Sequence, residues 1–246
     1  MRLGLGAIIL CAVSRPWRVK ILPQAIPALL GYGVSLGVMS LTFYMALQSI
    51  PLGLAVALEF SGPLVLASVV SRRRSDFLWI GLAAAGIGFL LPLSGNASRL
   101  NPVGVLYALA AGAAWAVYGL LGQRSGAAQG TAVAAIGVAI GASIVVPVGI
   151  IHAGVALFSP SILMSATVVA VLCCVIPFTL ELVALLGMPV QVYGTVVSME
   201  PAIAALAGML FLHERLTLIQ TAAIGAIMVA SVGMTATSSG AAGSEQ

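Results

Sequence analysis

Apolar runs separated by short loops fill most of this 246-residue chain. Most of them are about 18–25 residues long, which at 1.5 Å per helical residue is enough to cross a hydrocarbon core of about 30 Å. Charged residues make up 7% of the chain, against roughly 25% in a soluble domain. Such a chain cannot cover a water-facing surface. In the strands of a membrane barrel, apolar and polar residues would alternate over roughly ten residues, and the sequence lacks that pattern.

The sequence therefore predicts an all-α polytopic membrane protein with about nine transmembrane helices. The runs lie at 1–14, 24–47, 51–70, 77–93, 103–121, 131–151, 161–186, 190–212 and 217–235.

One segment occurs twice, and each copy has a carboxylate in the middle of an apolar run. The first copy reads A-L-Q-S-I-P at 46–51 and continues through Glu59 to S-R-R-R. The second reads A-L-L-G-M-P at 184–189 and continues through Glu200 to H-E-R. Thirteen residues separate Glu59 from Arg72, and thirteen separate Glu200 from His213. Ionisable groups inside a membrane span mark transport pathways by default, so the repeat indicates a transporter.

The repeat divides the chain into two halves. Residues 103–235 hold five apolar runs and form the second repeat, while residues 1–93 hold four and form a first repeat that lacks its opening helix. Five helices per repeat is an odd number, so the halves have opposite orientations in the membrane. That is the inverted-repeat architecture of secondary transporters. The Ser/Gly/Ala-rich tail, 237–246, is predicted to be disordered.

The first apolar run is too short to span a bilayer. A helix from Met1 to Ser14 would be about 21 Å long. A secretory signal carries its charge ahead of the apolar stretch, whereas here the cluster R-P-W-R-V-K follows it. We therefore expect the chain to begin inside a helix, with at least one earlier helix missing or the start site misplaced.

Loop charges predict the orientation. The loops after the first, third and fifth runs hold seven of the ten Lys and Arg residues, and the opposite loops hold only Arg99 and Arg215. Because Lys and Arg collect on the cytoplasmic side, the C-terminus is predicted to be cytoplasmic.

Glu59 and Glu200 are the leading candidates for the mechanism, because both lie near the middle of their spans. An ionised carboxylate there costs about 2.5–3.5 kcal/mol, and burial favours the neutral form. Such a group can exchange a proton for a substrate ammonium. The alternative is a neutral carboxyl that packs between helices. Glu181, four residues after Pro177, could recruit substrate from the cytoplasm or simply reach the headgroups.

Three prolines lie close to these carboxylates. Pro63 follows Glu59 by four residues, Pro201 directly follows Glu200, and Pro177 precedes Glu181. Proline removes a backbone bond and kinks a helix, and unwound backbone at the midplane is where transporters bind ligands. A plain kink is the alternative for each proline.

Two further features concern the helices around these groups. Trp115 and Tyr118 lie three apart on one helix face and are predicted to line a cavity and hydrogen-bond substrate. Gly137 and Gly141 form a G-x-x-x-G pattern, which is typical of close helix packing.

The sequence contains little that favours other function classes. It has no P-loop, no metal-ligand spacing and no nucleophile–His arrangement. Its basic residues do not form the clustered face that nucleic-acid binding requires. A membrane enzyme acting on lipid-linked substrates would need a polar cluster at the headgroups, and only His213–Arg215 comes close. We expect no enzyme activity, no metal and no cofactor, with protons as the coupling ion and the bilayer and a small molecule as partners.

Four segments spread along the chain carry a family resemblance. They are A-L-E-F-S-G-P at 57–63, S-R-R-R-S-D at 71–76, A-W-A-V-Y at 114–118, and S-M-E-P-A at 198–202 followed by L-H-E-R-L-T. Together they resemble the EamA-type drug/metabolite transporter superfamily. The E-P and E-R-L-T patterns mark the superfamily. The pair A-L-E-F-S-G-P and S-M-E-P-A is more specific to a branch that exports amino acids.

The resemblance implies ten helices in the inner membrane with both termini cytoplasmic. It implies export of small amino acids such as threonine and homoserine, by proton antiport with alternating access. Two alternatives stay open: export of another small metabolite or drug, and a transport-inactive protein that lacks the first helix.

Overall fold

The computed structural model describes residues 1–19, 21–70, 74–90, 101–125, 130–154, 159–177, 180 and 196–242, and every regular element within them is helical. The prediction of an all-α protein is confirmed. The long helices are α1 (Arg2–Ser14), α2 (Ile26–Leu47), α3 (Leu52–Val70), α4 (Arg74–Leu90), α5 (Pro102–Ser125), α6 (Thr131–Ala153), α7 (Pro160–Ala170), α8 (Glu200–Phe211) and α9 (Leu218–Ala242).

Three of the described helices are long and apolar enough to cross a membrane. They cover Pro23–Leu47, Pro102–Gly122 and Thr131–His152, and the remaining apolar helices are shorter. Large apolar side chains also face outward, with Phe211 80% and Leu218 89% exposed. An apolar surface of this kind is stable against lipid rather than water, so the chain is an integral membrane protein.

The chain forms two compact units. The first consists of Met1–Leu41 and Val117–Gly187, and the second of Thr42–Ala116 and Met188–Gln246. Each unit takes residues from both predicted repeats, and α2 and α5 contribute one part to each unit.

The core of the first unit lies between α1, α2 and α6. Leu3 and Leu10 of α1 are buried together with Leu36 of α2 and Val138 of α6. Helix α6 ends at Ala153 and is capped by Gly154, whose φ of 61° suits glycine because it has no Cβ to clash.

Helices α2 and α6 approach closely through glycines. A Cβ at Gly37 would lie 3.0 Å from the carbonyl oxygen of Gly141, so the two backbones touch there. One turn away, the ring of Tyr32 occupies the space that a side chain at Gly137 would need. The close packing predicted for the G-x-x-x-G pattern is confirmed, with an aromatic ring taking one of its two positions.

The core of the second unit is built on α3 and α9. Leu54 and Leu58 of α3 are fully buried with Ile227 of α9. Helix α9 begins with a capping box, in which Thr217 N–H donates to Oε1 of Gln220 at 2.9 Å and Gln220 N–H donates to Oγ1 of Thr217 at 3.3 Å.

Helix α9 extends further than the apolar pattern predicts. It runs to Ala242 and so includes 237–242 of the predicted tail. Alanine is the best helix former, and the five residues from Thr235 to Ser239 are all Ala, Thr or Ser, with no proline to end the helix.

Candidate functional site

Glu59 lies inside α3 and is 9% exposed. Its position is fixed by a close contact between α3 and α5, because a Cβ at Gly112 would lie 2.5 Å from the carbonyl oxygen of Glu59. A Cβ at Gly62 would overlap the backbone of Gly112 in the same way. Two glycines facing each other therefore let the α5 backbone pass directly beside the carboxylate-bearing turn.

Glu200 lies at a break between two helical segments. Residues 196–197 are helical, Ser198 and Met199 form a turn, and α8 begins at Glu200 with Pro201 in its first turn. Pro201 has no N–H, so it cannot donate to the carbonyl of Val197 as a helix would require. The turn lies where the sequence predicts a distortion at Pro201, and Glu200 is the first residue of the helix that follows it.

The second unit brings the two carboxylates to the same height. A Cβ at Gly53 of α3 would lie 2.6 Å from the Cα of Ala205 of α8, and a Cβ at Gly208 would lie 3.6 Å from the Cβ of Leu52. Later residues of α8 thus meet earlier residues of α3, which means that the two helices run antiparallel. From the Gly53–Ala205 contact, Glu59 lies about 9 Å further along α3, and Glu200 lies about 8 Å back along α8. The two glutamates are therefore at nearly the same depth.

The two carboxylates are near enough to interact. The charge of Glu200 acts on the Glu59 carboxyl. One of the pair is buried and the other is exposed at the helix break. The geometry therefore joins the two candidate residues in one acidic site, although they are far apart in the chain.

Trp115 packs beside this site through Phe60, the residue after Glu59. The two rings meet edge to face, with centroids 5.2 Å apart and planes at 81°. Trp115 lies three residues after Gly112 on α5, so one face of α5 contacts two successive residues of α3. The structure thus brings Trp115 near the acidic pair by packing, and its predicted contact with substrate stays a prediction.

Tyr118 lies in the first unit and has a different neighbour. Its ring stacks on Tyr32 with centroids 4.6 Å apart, and Tyr32 Oη donates a hydrogen bond to Tyr118 Oη at 3.1 Å. The substrate role predicted for Tyr118 stays a prediction.

The other predicted residues have different outcomes. Helix α3 continues through Pro63 to Val70 without the break that Pro201 accompanies. Pro177 follows a π turn at Val171–Val175, which is the kind of distortion that its missing N–H favours. Glu181 lies outside the described residues.

Several residues at the site were not predicted from the sequence. Ser198 and Ser231 are buried, and their hydroxyl oxygens are 2.6 Å apart. The sequence feature that could have indicated both serines is a hydroxyl side chain inside an apolar run. Gly112 gave no signal, because it stands in an ordinary small-residue stretch, A-A-G-A-A.

The described residues supply carboxylates, hydroxyls and aromatic rings around one helix break. No group of three or more His, Cys, Asp or Glu residues within the described ranges could hold a metal ion. Chemically, such a site can exchange a proton for a cation.

Comparisons with known proteins show the family of the chain. Residues 102–236 match the EamA-like transporter family. The chain is 49% identical over 237 residues to the threonine/homoserine exporter RhtA of Escherichia coli (strain K12), covering 96% of this chain and 80% of the relative. It is 50% identical over 237 residues to the protein of the same name from Salmonella typhimurium (strain SL1344), with the same coverage. The predicted resemblance is confirmed: the chain belongs to the EamA-like transporter family.

Proposed function

We propose that this chain is a secondary transporter that exports small amino acids, threonine and homoserine among them, across the inner membrane in exchange for protons. The observation that carries the proposal is the pairing of buried Glu59 with Glu200 at the start of α8. The substrate class is supported by relatives named threonine/homoserine exporter.

The acidic pair supplies a reason for coupling. Two carboxylates close together in a low-dielectric site repel each other, so the site favours a proton or another cation over two bare charges. Threonine and homoserine each carry an ammonium group that can take the place of the proton. Because one site then holds either a proton or a substrate, inward movement of one drives outward movement of the other.

The break at Ser198–Met199 gives the site a polar backbone. Irregular backbone is tolerated at membrane depth where it lines a cavity, and transporters place their binding sites at such discontinuous helices. The Val197 carbonyl, which Pro201 cannot reach as a donor, is an additional acceptor for an ammonium beside the Glu200 carboxylate.

The orientation follows from the loop charges. Arg15, Arg18 and Arg124 belong to the more basic side, which is cytoplasmic by the positive-inside rule. This orientation puts the C-terminus in the cytoplasm and the loop with Glu214 in the periplasm.

Uptake of radiolabelled threonine and homoserine into everted membrane vesicles tests the proposal. In such vesicles export appears as uptake, driven by an interior that the respiratory chain acidifies. We expect Glu59→Gln and Glu200→Gln each to reduce proton-driven uptake at least tenfold, because an amide cannot release a proton. Glu214→Gln is the matched control, since its amide oxygen can still accept the bond from Leu52.

The outcomes separate the alternatives. Undiminished, proton-dependent uptake by both Gln variants would reject the roles of the two carboxylates. Transport of another metabolite but of neither amino acid would reject the substrate class. Failure of the unmodified chain to move any compound would favour a transport-inactive protein.

A further inference from the structure

The hydrogen bond between Ser198 and Ser231 connects the helix break to α9. Ser198 is 1% exposed and Ser231 5% exposed, and their hydroxyl oxygens are 2.6 Å apart. Ser198 lies in the turn, two residues before Glu200. Ser231 lies inside α9, so the bond crosses from an irregular segment to a regular helix.

Two other buried serines of the described helices, Ser35 and Ser61, bond within their own helix. Ser35 donates to the carbonyls of Gly31 at 2.8 Å and Tyr32 at 3.0 Å, and Ser61 donates to that of Leu58. This is the usual way in which a helical serine satisfies its hydroxyl. The Ser198–Ser231 bond instead joins residues 33 apart in the chain, so it constrains the tertiary structure.

The break needs such a constraint. Pro201 removes a backbone hydrogen bond at the start of α8, so the turn is held by fewer backbone bonds than a continuous helix. Helix α9 is a firm support, because Ile227 and Ala230 are fully buried in the core of the second unit. Two residues after Ser231, the ring of Trp79 occupies the space that a side chain at Gly233 would need.

We propose that the Ser198–Ser231 hydrogen bond positions Glu200 opposite Glu59 and stays intact through the transport cycle. Both serines are positioning residues that act through Glu200. The inference rests on the proposed function. Loss of the bond lets the first turn of α8 sample conformations in which the two carboxylates no longer face each other, so a smaller fraction of carriers can bind substrate.

The consequence is a change in apparent affinity. When only a fraction of carriers is competent to bind, KM rises by the inverse of that fraction, while the rate of saturated carriers is retained. The net strength of a typical hydrogen bond limits the rise to about tenfold. We therefore expect Ser231→Ala to raise KM for threonine about 3- to 10-fold in everted vesicles, with a maximal rate per folded carrier within about twofold of the unmodified chain.

Two matched variants separate positioning from folding. Ser35→Ala removes a buried hydroxyl that donates to two carbonyls of its own helix, α2. We expect the KM of this variant for threonine to be unchanged. Ser231→Thr keeps the hydroxyl, and we expect KM to return to within about twofold of the unmodified chain. A purely structural role would lower the amount of folded carrier, measured by size-exclusion chromatography, and leave KM unchanged. That result would overturn the proposal.

A cysteine pair tests whether the bond stays intact. Ser198→Cys with Ser231→Cys, in a chain whose Cys11, Cys173 and Cys174 are Ala, places two sulfurs where the hydroxyls meet. If the contact persists through the cycle, oxidation to the disulfide leaves transport intact. Arrest on oxidation, reversed by reductant, would show that the two residues must separate, and would overturn the fixed contact.

The test is independent of the coupling roles. If Glu200→Gln abolishes proton-driven uptake and Ser231→Ala leaves KM unchanged, the positioning role fails and the proposed function stands. If both Gln variants transport normally, the proposed function fails whatever the serine variants do.

Discussion

Glu214 accepts the backbone N–H of Leu52 with both carboxylate oxygens, each 3.0 Å from the nitrogen. Leu52 is the first residue of α3, so a loop in the second half of the chain caps the helix that carries Glu59. The carboxylate also lies where a side chain at Gly208 would be, and Glu214 N–H donates to the Gly208 carbonyl at 3.0 Å. The cap thus joins the C-terminal end of α8 to the N-terminal end of α3.

Removing this cap should destabilise the fold. We expect Glu214→Ala to lower the free energy of unfolding by about 1 kcal/mol, because an end of α3 loses its acceptor and a charge that favours the helix dipole. Thermal unfolding in detergent measures the effect. Glu214→Gln retains an acceptor and should lose less, and equal losses in the two variants would show that the hydrogen bond contributes nothing.

Adding one methyl group at Gly112 should disturb the acidic site. We expect Gly112→Ala to cost about 1–3 kcal/mol of stability, because its Cβ would meet the Glu59 carbonyl. Uptake should fall as well, since α3 must move away at the carboxylate. Gly119→Ala on the same helix is the control, because a Cβ there has no atom within 4 Å. Similar behaviour of the two variants would contradict the close contact of α3 with α5.

The Tyr32 ring and Gly137 should behave as a coupled pair. We expect Gly137→Ala to destabilise the protein by about 1–3 kcal/mol, because the methyl group and the ring would occupy the same space. Tyr32→Ala removes the ring and should make the second substitution almost neutral. A double-mutant cycle by thermal unfolding measures this coupling, and additive losses would disprove it.

Substitutions at Trp115 should separate packing from substrate binding. Trp115→Phe keeps an aromatic ring against Phe60, a contact worth about 0.5–1.5 kcal/mol, but it removes the indole N–H. We expect it to unfold near the temperature of the unmodified chain and to raise KM for threonine about 3- to 10-fold, as loss of one hydrogen bond would. Trp115→Ala should also lose stability. An unchanged KM in Trp115→Phe would show that Trp115 only packs.

The helices and the two central carboxylates were predictable because their signals are local. Apolar runs define α2, α5 and α6, and a glutamate in an apolar run stands out without knowledge of its neighbours. The proline next to Glu200 is likewise a local signal for a break, because a missing N–H acts on the residues directly before it.

The remaining site depends on contacts between distant residues. Ser198 meets Ser231, and Glu214 meets Leu52 across 162 residues of sequence. Neither pairing has a local pattern. Pro63 is a further example of a feature that local sequence does not predict. Helix α3 runs through Pro63 to Val70, and the turn before this proline packs closely against Gly112. That packing cannot be read from the order of residues.

The π turn at Val171–Val175 changes which residues share a helix face before and after it. A π turn contains one more residue than an α turn, and each residue of an α-helix rotates the face by about 100°. A helical wheel drawn straight through 161–177 is therefore out of phase on one side of the turn. Insertion or deletion of one residue should be tolerated better within Val171–Val175 than within α7 itself, so homologous helices that lack the π turn should align here with a one-residue gap.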